Sequence, residues 1–157
     1  MSEGAPLSFG RALLLGALTV GTLDLLDAFV FFGLRGVPPI RILQSIASGW
    51  LGKASYSGGV PTAILGLASH FLIATGIVAT YLLASRAMPV LARKPFVFGP
   101  LYGLAVYAVM NYVVIPLSAA ASAKPSPPVL ANGLLIHLLG VGLPSALFAR
   151  AAVHGPG

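Results

Sequence analysis

Cysteine is absent from this 157-residue chain, so disulfides, thiolate metal sites and cysteine nucleophiles are excluded together. Acidic residues are almost absent as well. Three Asp+Glu stand against nine Lys+Arg, and charged residues make up only 8% of the chain, whereas soluble domains carry roughly 25%. What fills the space is apolar: 57% of residues are hydrophobic, with a mean hydropathy of +0.96. Such a chain cannot cover a core with polar surface, so lipid must be its solvent. The basic residues are scattered at the ends of apolar runs rather than gathered in a patch. That placement fits cytoplasmic loops and lipid headgroups and argues against nucleic acid. Catalytic motifs are missing too. There is no Ser-centred elbow, phosphate-binding glycine loop or H-E-x-x-H, so no enzymatic chemistry is expected. Ser69 beside His70 points to a different helix face and makes no nucleophile–base pair. His154 falls in the C-terminal tail, where solvation is the simplest expectation.

Four apolar stretches are long enough to cross a bilayer core of ~30 Å as helices: Ala12–Phe32, Val60–Ser85, Phe96–Ala120 and Val129–Ala152. Arg11 followed by Ala12–Val20 has the look of a signal peptide. The apolar run continues to Phe32, however, carries Asp24 and Asp27, and lacks an Ala-x-Ala-like site, so a retained helix is expected. The breaks at Arg86–Pro95 and Ala121–Pro128 are rich in proline and basic residues. The fold expected is an all-α, polytopic four-helix membrane bundle forming a single domain.

The Gly33–Gly59 linker is different. After Pro38-Pro39 it places Ile40, Leu43, Ile46, Ala47 and Trp50 at helical spacing. A short helix over Ile40–Leu51 is predicted, lying at the membrane surface or re-entrant. Arg41, Trp50 and Lys53 there, with Arg86, Arg93 and Lys94 in the second loop, are the expected headgroup or interface residues. The dense Arg86–Lys94 cluster points to cytoplasmic termini.

Ionisable groups inside a membrane are costly, so each needs a reason. The spans carry Asp24 and Asp27, His70, Asn111 and His137. Counted from the helix ends on the side away from the termini, Asp24 lies eight residues from Phe32, and His70 ten from Val60. Asn111 lies nine from Ala120, and His137 eight from Val129. At ~1.5 Å per residue these depths agree within about 3 Å, which predicts one polar layer with a group from each helix. Small residues share the same stripes: Gly16 and Val20 with Asp24, Ala63 and Gly66 with His70, Gly99 and Gly103 with Asn111, Gly133 and Gly140 with His137. Close helix approach places those stripes inside the bundle.

An internal echo runs through the same residues. Gly16 precedes Asp24 as Gly103 precedes Asn111, by eight residues, and Gly66-x-x-x-His70 matches Gly133-x-x-x-His137. The pattern suggests a duplicated helical hairpin, with the linker helix inserted in the first copy and the copies running parallel.

The run Asp27–Gly33 through Val37–Arg41 resembles the helix-one exit of the YagU-like family of small bacterial inner-membrane proteins. So do His70 through Pro89, Tyr107–Leu117 and His137–Arg150. The resemblance implies four helices in a bacterial inner membrane. The two histidines match its pattern best. It implies no particular activity.

Several roles are open for the layer. Asp24, His70, Asn111 and His137 form interhelical hydrogen-bonding glue, worth about 0.6 kcal/mol per contact on average. Alternatively they handle protons or a small polar solute, with Asp27 as a relay one turn nearer the surface. No motif demands a cofactor, yet two imidazoles and a carboxylate (His70, His137, Asp24) make a ligand set for a divalent metal, and the histidine pair suits a b-type haem. A further class is the accessory subunit of a larger membrane complex, or a homo-oligomer joined through Gly99 and Gly103 if that face looks outward. Tyr102, Tyr107 and Tyr112 follow no single face and are expected to serve packing or as interface anchors.

Overall fold

The computed structural model describes residues 5–121 and 124–154, with the side chain of His154 outside that description. Its main elements are α1 (Phe9–Gly33), α2 (Pro39–Leu51), α3 (Gly59–Ala87), α4 (Pro95–Leu117) and α5 (Pro127–Val153). All but α2 are long and apolar enough to cross a membrane, and no strand occurs among the described residues. The protein is an all-α, multi-pass membrane bundle.

Local chemistry, rather than hydropathy, sets the helix ends. Ser8 caps α1 by accepting the Arg11 amide at 3.3 Å, and Pro39, Pro95 and Pro127 stand in first turns where no amide partner is needed. The third span stops at Leu117, short of the Ala120 expected from its apolar run. Ser118 turns extended, with ψ 175°, its hydroxyl accepts the Ala120 amide at 3.1 Å, and the Ala119 amide donates to Gly49 of α2 at 2.9 Å. Gly52, with φ +56°, ends α2 in a conformation that side chains resist.

The start of α1 and the end of α5 lie at one face, where the Leu7 amide donates to the Ala151 carbonyl at 3.0 Å. This end of the bundle is tightly filled. Val78, Tyr81 and Leu82 of α3 pack there with Ala12 and Val20 of α1, Val106 of α4, and Val141 with Ala149 of α5. Arg86 stacks over Phe9, 4.3 Å from the ring centre, while Arg93 and Lys94 are exposed.

At the opposite end α2 is wedged against α3. Gly66 has no side chain, and the Leu43 carbonyl and Ala47 amide of α2 occupy the room a side chain would need. Gln44 Nε2 donates to the Gly59 carbonyl at 3.0 Å. Trp50 Nε1 donates to Ser69 Oγ at 3.0 Å, and Arg41 donates to the Tyr56 carbonyl at 2.7 Å. Lys53 is exposed. Gly66 is about 10 Å along α3 from its first residue at ~1.5 Å per residue, so α2 crosses among the spans instead of lying outside them. Trp50 thus spends its N–H on α3, not on a headgroup.

The α4–α5 crossing is equally close. A Cβ on Gly99 would come 2.8 Å from the Leu143 Cα, and one on Gly103 or Gly142 would strike the facing backbone. The Gly99/Gly103 face is therefore used within the chain, which corrects its expected use in joining copies. By contrast α3 and α4 share little of their length. They meet near the termini face, where Tyr102 donates to the Ile77 carbonyl at 2.7 Å and lies against Tyr81, ring centres 4.9 Å apart.

Candidate functional site

Between the filled end and α2 lies a cavity of about 290 Å³, and Asp24, His70, Asn111 and His137 all line it. Four helices each contribute one polar side chain, at the common depth that residue counting predicts. Its floor is Val20 and Val141 and its roof includes Ile42, Ser45 and Ile46 of α2.

Each nitrogen-bearing member is fixed the same way. His70 Nε2 donates to the Gly21 carbonyl of α1 at 2.8 Å, His137 Nδ1 to Gly133 at 2.9 Å, and Asn111 Nδ2 to Tyr107 at 2.9 Å. A carbonyl oxygen can only accept, so in each contact the nitrogen carries the hydrogen. In the neutral imidazoles the second nitrogens, His70 Nδ1 and His137 Nε2, then present lone pairs, as does Asn111 Oδ1. Asp24 has no hydrogen-bond partner among the described residues, where no fully enclosed polar side-chain atom lacks one. Its carboxyl consequently faces open cavity, which His70 and His137 also line. The lining is mixed: the Asp24 carboxyl and Asn111 Oδ1 accept, while the Asn111 amide keeps a second N–H to donate.

Two glycines shape the histidines. Gly133 leaves room for the Tyr107 ring, whose Cε2 would lie 2.8 Å from a Cβ there. Tyr107 in turn meets His137 edge-on, ring centres 5.3 Å apart. Gly21 makes room for Phe71 and offers its carbonyl to His70.

Among the described residues there are two π-type segments, Met110–Val114 in α4 and His137–Gly142 in α5, and each contains a chamber residue. There the Ile115 amide reaches back to Met110 and the Leu143 amide to Leu138. The cause is legible in the sequence. Pro116 and Pro144 stand two positions past the segments' last residues; each lacks an amide hydrogen and crowds the carbonyl four residues back. The helix widens by one residue just before each proline, a feature frequent at functional sites.

Asp27 belongs elsewhere. Its Oδ2 accepts from Asn132 Nδ2 of α5 at 2.6 Å, and it does not line the chamber, although Asp24, Ala28 and Phe32 of the same helix do. Asn132 is missing from the set read off the sequence, although the depth count finds it: three residues from Val129, against five from Asp27 to Phe32. The expected metal set is not assembled either, for among the described residues no three His, Asp or Glu side chains converge to hold an ion. A space of about 290 Å³ is also at the lower edge of small-ligand pockets, roughly 300 Å³, and too small for a porphyrin. Tyr112 is 75% exposed and takes no part.

A second, larger cavity of about 770 Å³ adjoins the first between α2, α3 and the end of α4. Ser45, Ile46, Ile73, Met110 and Ile115 line both.

No protein-family model, curated protein or solved structure matches the chain.

Proposed function

We propose that this membrane protein holds a proton or a small hydrogen-bond-donating solute, an ammonium-like cation being the simplest, in the chamber of Asp24, His70, Asn111 and His137. The observation that carries this reading is the polarity of the lining. Each of three side chains gives one N–H to a backbone carbonyl, and among them the Asp24 carboxyl, without a hydrogen-bond partner among the described residues, faces the cavity. A carboxylate without a partner in such a place is costly unless something donates to it. The two π-type segments supply a second support, because they carry Asn111 and His137 of the lining and such widened turns are frequent at functional sites. Orientation with cytoplasmic termini in a bacterial inner membrane, and kinship with the YagU-like proteins, belong to the same proposal.

The test uses sealed liposomes containing a trapped pH dye. Vesicles with the protein are expected to dissipate an imposed pH gradient faster than empty ones, and Asp24→Asn with His70→Ala together should return the rate to that of empty vesicles. A flux that survives both substitutions in a folded protein overturns the reading.

Interhelical glue is favoured for Asp27, by its bond to Asn132, and for His70, by its bond to the Gly21 carbonyl of α1. An accessory-subunit role would appear as a stoichiometric partner when the protein is purified from its native membrane.

A further inference from the structure

The basic residues of the two membrane faces are spent differently. Among the described residues the only basic side chains that hydrogen-bond within the protein are Arg35, to the Phe31 carbonyl at 2.6 Å, and Arg41, to the Tyr56 carbonyl at 2.7 Å and Gln44 Oε1 at 3.4 Å. Both stand on the face away from the termini. Arg35 also lies 3.6 Å from the centre of the Phe31 ring. At the termini face Arg11, Arg93, Lys94 and Arg150 are exposed and keep their donors free, and Arg86 stands over Phe9. The residues expected at head groups thus divide. Arg41 and Trp50 are engaged within the protein, whereas Arg93 and Lys94 are exposed.

Packing gathers these cations. The short turn Val90–Arg93 between α3 and α4 has Ala92 fully buried, and its Leu91 carbonyl accepts the Tyr81 hydroxyl at 3.1 Å. It lies against Leu143–His154, the last part of α5. Arg93 and Lys94 are therefore carried on a fixed platform beside the element that carries Arg150. Arg11 and Arg150 flank the Leu7–Ala151 contact. Like charges so placed repel one another, and among the described residues no acid answers them. Asp24 lines the chamber, thirteen residues along α1 from Arg11 or about 20 Å, and Asp27 is bonded to Asn132. Glu3, outside the described residues, supplies at most one negative charge against five positive ones.

We infer that the termini face is a docking surface for anionic phospholipid head groups, with Arg93, Lys94 and Arg150 at its centre. The face sits at the ends of membrane spans, in the plane where the phosphodiesters of one leaflet lie, and basic residues there are attracted to anionic lipid. A zwitterionic head group brings its own cation, so only a lipid of net negative charge offsets the excess. The opposite face, with Arg35 and Arg41 committed, retains Lys53 and Lys124 as exposed cations and should discriminate less. This surface is independent of the chamber.

The probe is doxyl-labelled phosphatidylglycerol, compared with doxyl-labelled phosphatidylcholine in vesicles of dioleoyl phosphatidylcholine. Electron spin resonance reads how much of each label the protein restricts. The native protein is expected to prefer the anionic label about fivefold, the effect of one basic residue at an anionic surface, and molar sodium chloride should remove most of that preference. Arg93→Gln with Lys94→Gln should bring it close to unity. Lys53→Gln with Lys124→Gln removes the same charge from the other face and should leave most of it. Arg150→Gln, on a separate element, should lower the preference in smaller degree and keeps the test decisive if the first pair loses helicity. No preference in the native protein overturns the inference, and so does an equal loss in both pairs, which would report net charge alone. Displacement of the label by millimolar inorganic phosphate at constant ionic strength would assign the face to a free anion and overturn the lipid assignment.

Discussion

A carboxylate removed from water needs a donor, and this protein resolves that requirement in two ways one turn apart. Asp27 has its donor built in, the Asn132 amide at 2.6 Å across the α1–α5 interface. Asp24 has none and faces a cavity. The contrast predicts different mutational signatures. Asp27→Leu alone leaves the Asn132 amide unpaired and should destabilise, while Asp27→Leu with Asn132→Leu should recover part of the loss, because two apolar partners leave nothing unsatisfied. The coupling expected from a double-mutant cycle read by denaturant unfolding is about 0.6–2 kcal/mol. Equal and additive losses would show that the contact contributes nothing. Asp24→Asn should leave stability nearly unchanged, since no native bond is lost. At this scale the sequence was informative about depth and silent about azimuth. Residue counting brought Asp24, His70, Asn111 and His137 to one level, and the same count serves Asp27 and Asn132. Which members share a cavity and which pair directly depends on helix rotation, and apolar neighbours on every side of a span carry little rotational information.

Among the elements, the spans were legible because twenty-residue apolar runs have few alternatives in lipid. Their ends were not, since caps and prolines decide them. The π-type segments illustrate the gap: Pro116 and Pro144 stand in plain view within apolar runs, but prolines are common in transmembrane helices and their local adjustment can take several forms. Because the widened turns carry Asn111 and His137, removing their cause should move those side chains. Pro144→Ala restores an amide at the position that lacks one. It is expected to regularise His137–Gly142, keep or raise thermal stability, and reduce proton flux. A variant that gains stability with flux unaltered would show the widened turn to be incidental. The repeat inferred from Gly66/His70 and Gly133/His137 is only partly mirrored in packing. Gly66 admits the backbone of α2, whereas Gly133 admits the ring of Tyr107. The linker helix has no counterpart in the second half, and the widened turns have none in the first.

For the whole molecule, an even number of spans and the Leu7–Ala151 contact place the start of α1 and the end of α5 on one face. The lack of native cysteine makes topology simple to measure. Lys53→Cys and Lys124→Cys should react with an impermeant thiol reagent from one side of sealed vesicles, and Arg93→Cys and Lys94→Cys only from the other. Reaction of all four from a single side would contradict the four-span arrangement. Long-range organisation of this kind follows from counting helices, and so it could be read early. The asymmetry between a filled end and a hollow end could not. It arises from where Tyr81, Tyr102 and Val78 happen to interlock, and from α2 returning into the bundle at Gly66.

The hydroxyl of Tyr102 on the Ile77 carbonyl joins two spans that otherwise diverge, much as the stop at the base of a zipper limits how far its teeth can part. Tyr102→Phe would keep the aromatic stack but release that stop. The seam could then run down to the termini face and connect the chamber with both sides of the membrane in turn. On the proposed proton-handling reading, losing this one interhelical bond should appear as faster gradient collapse at unchanged helicity.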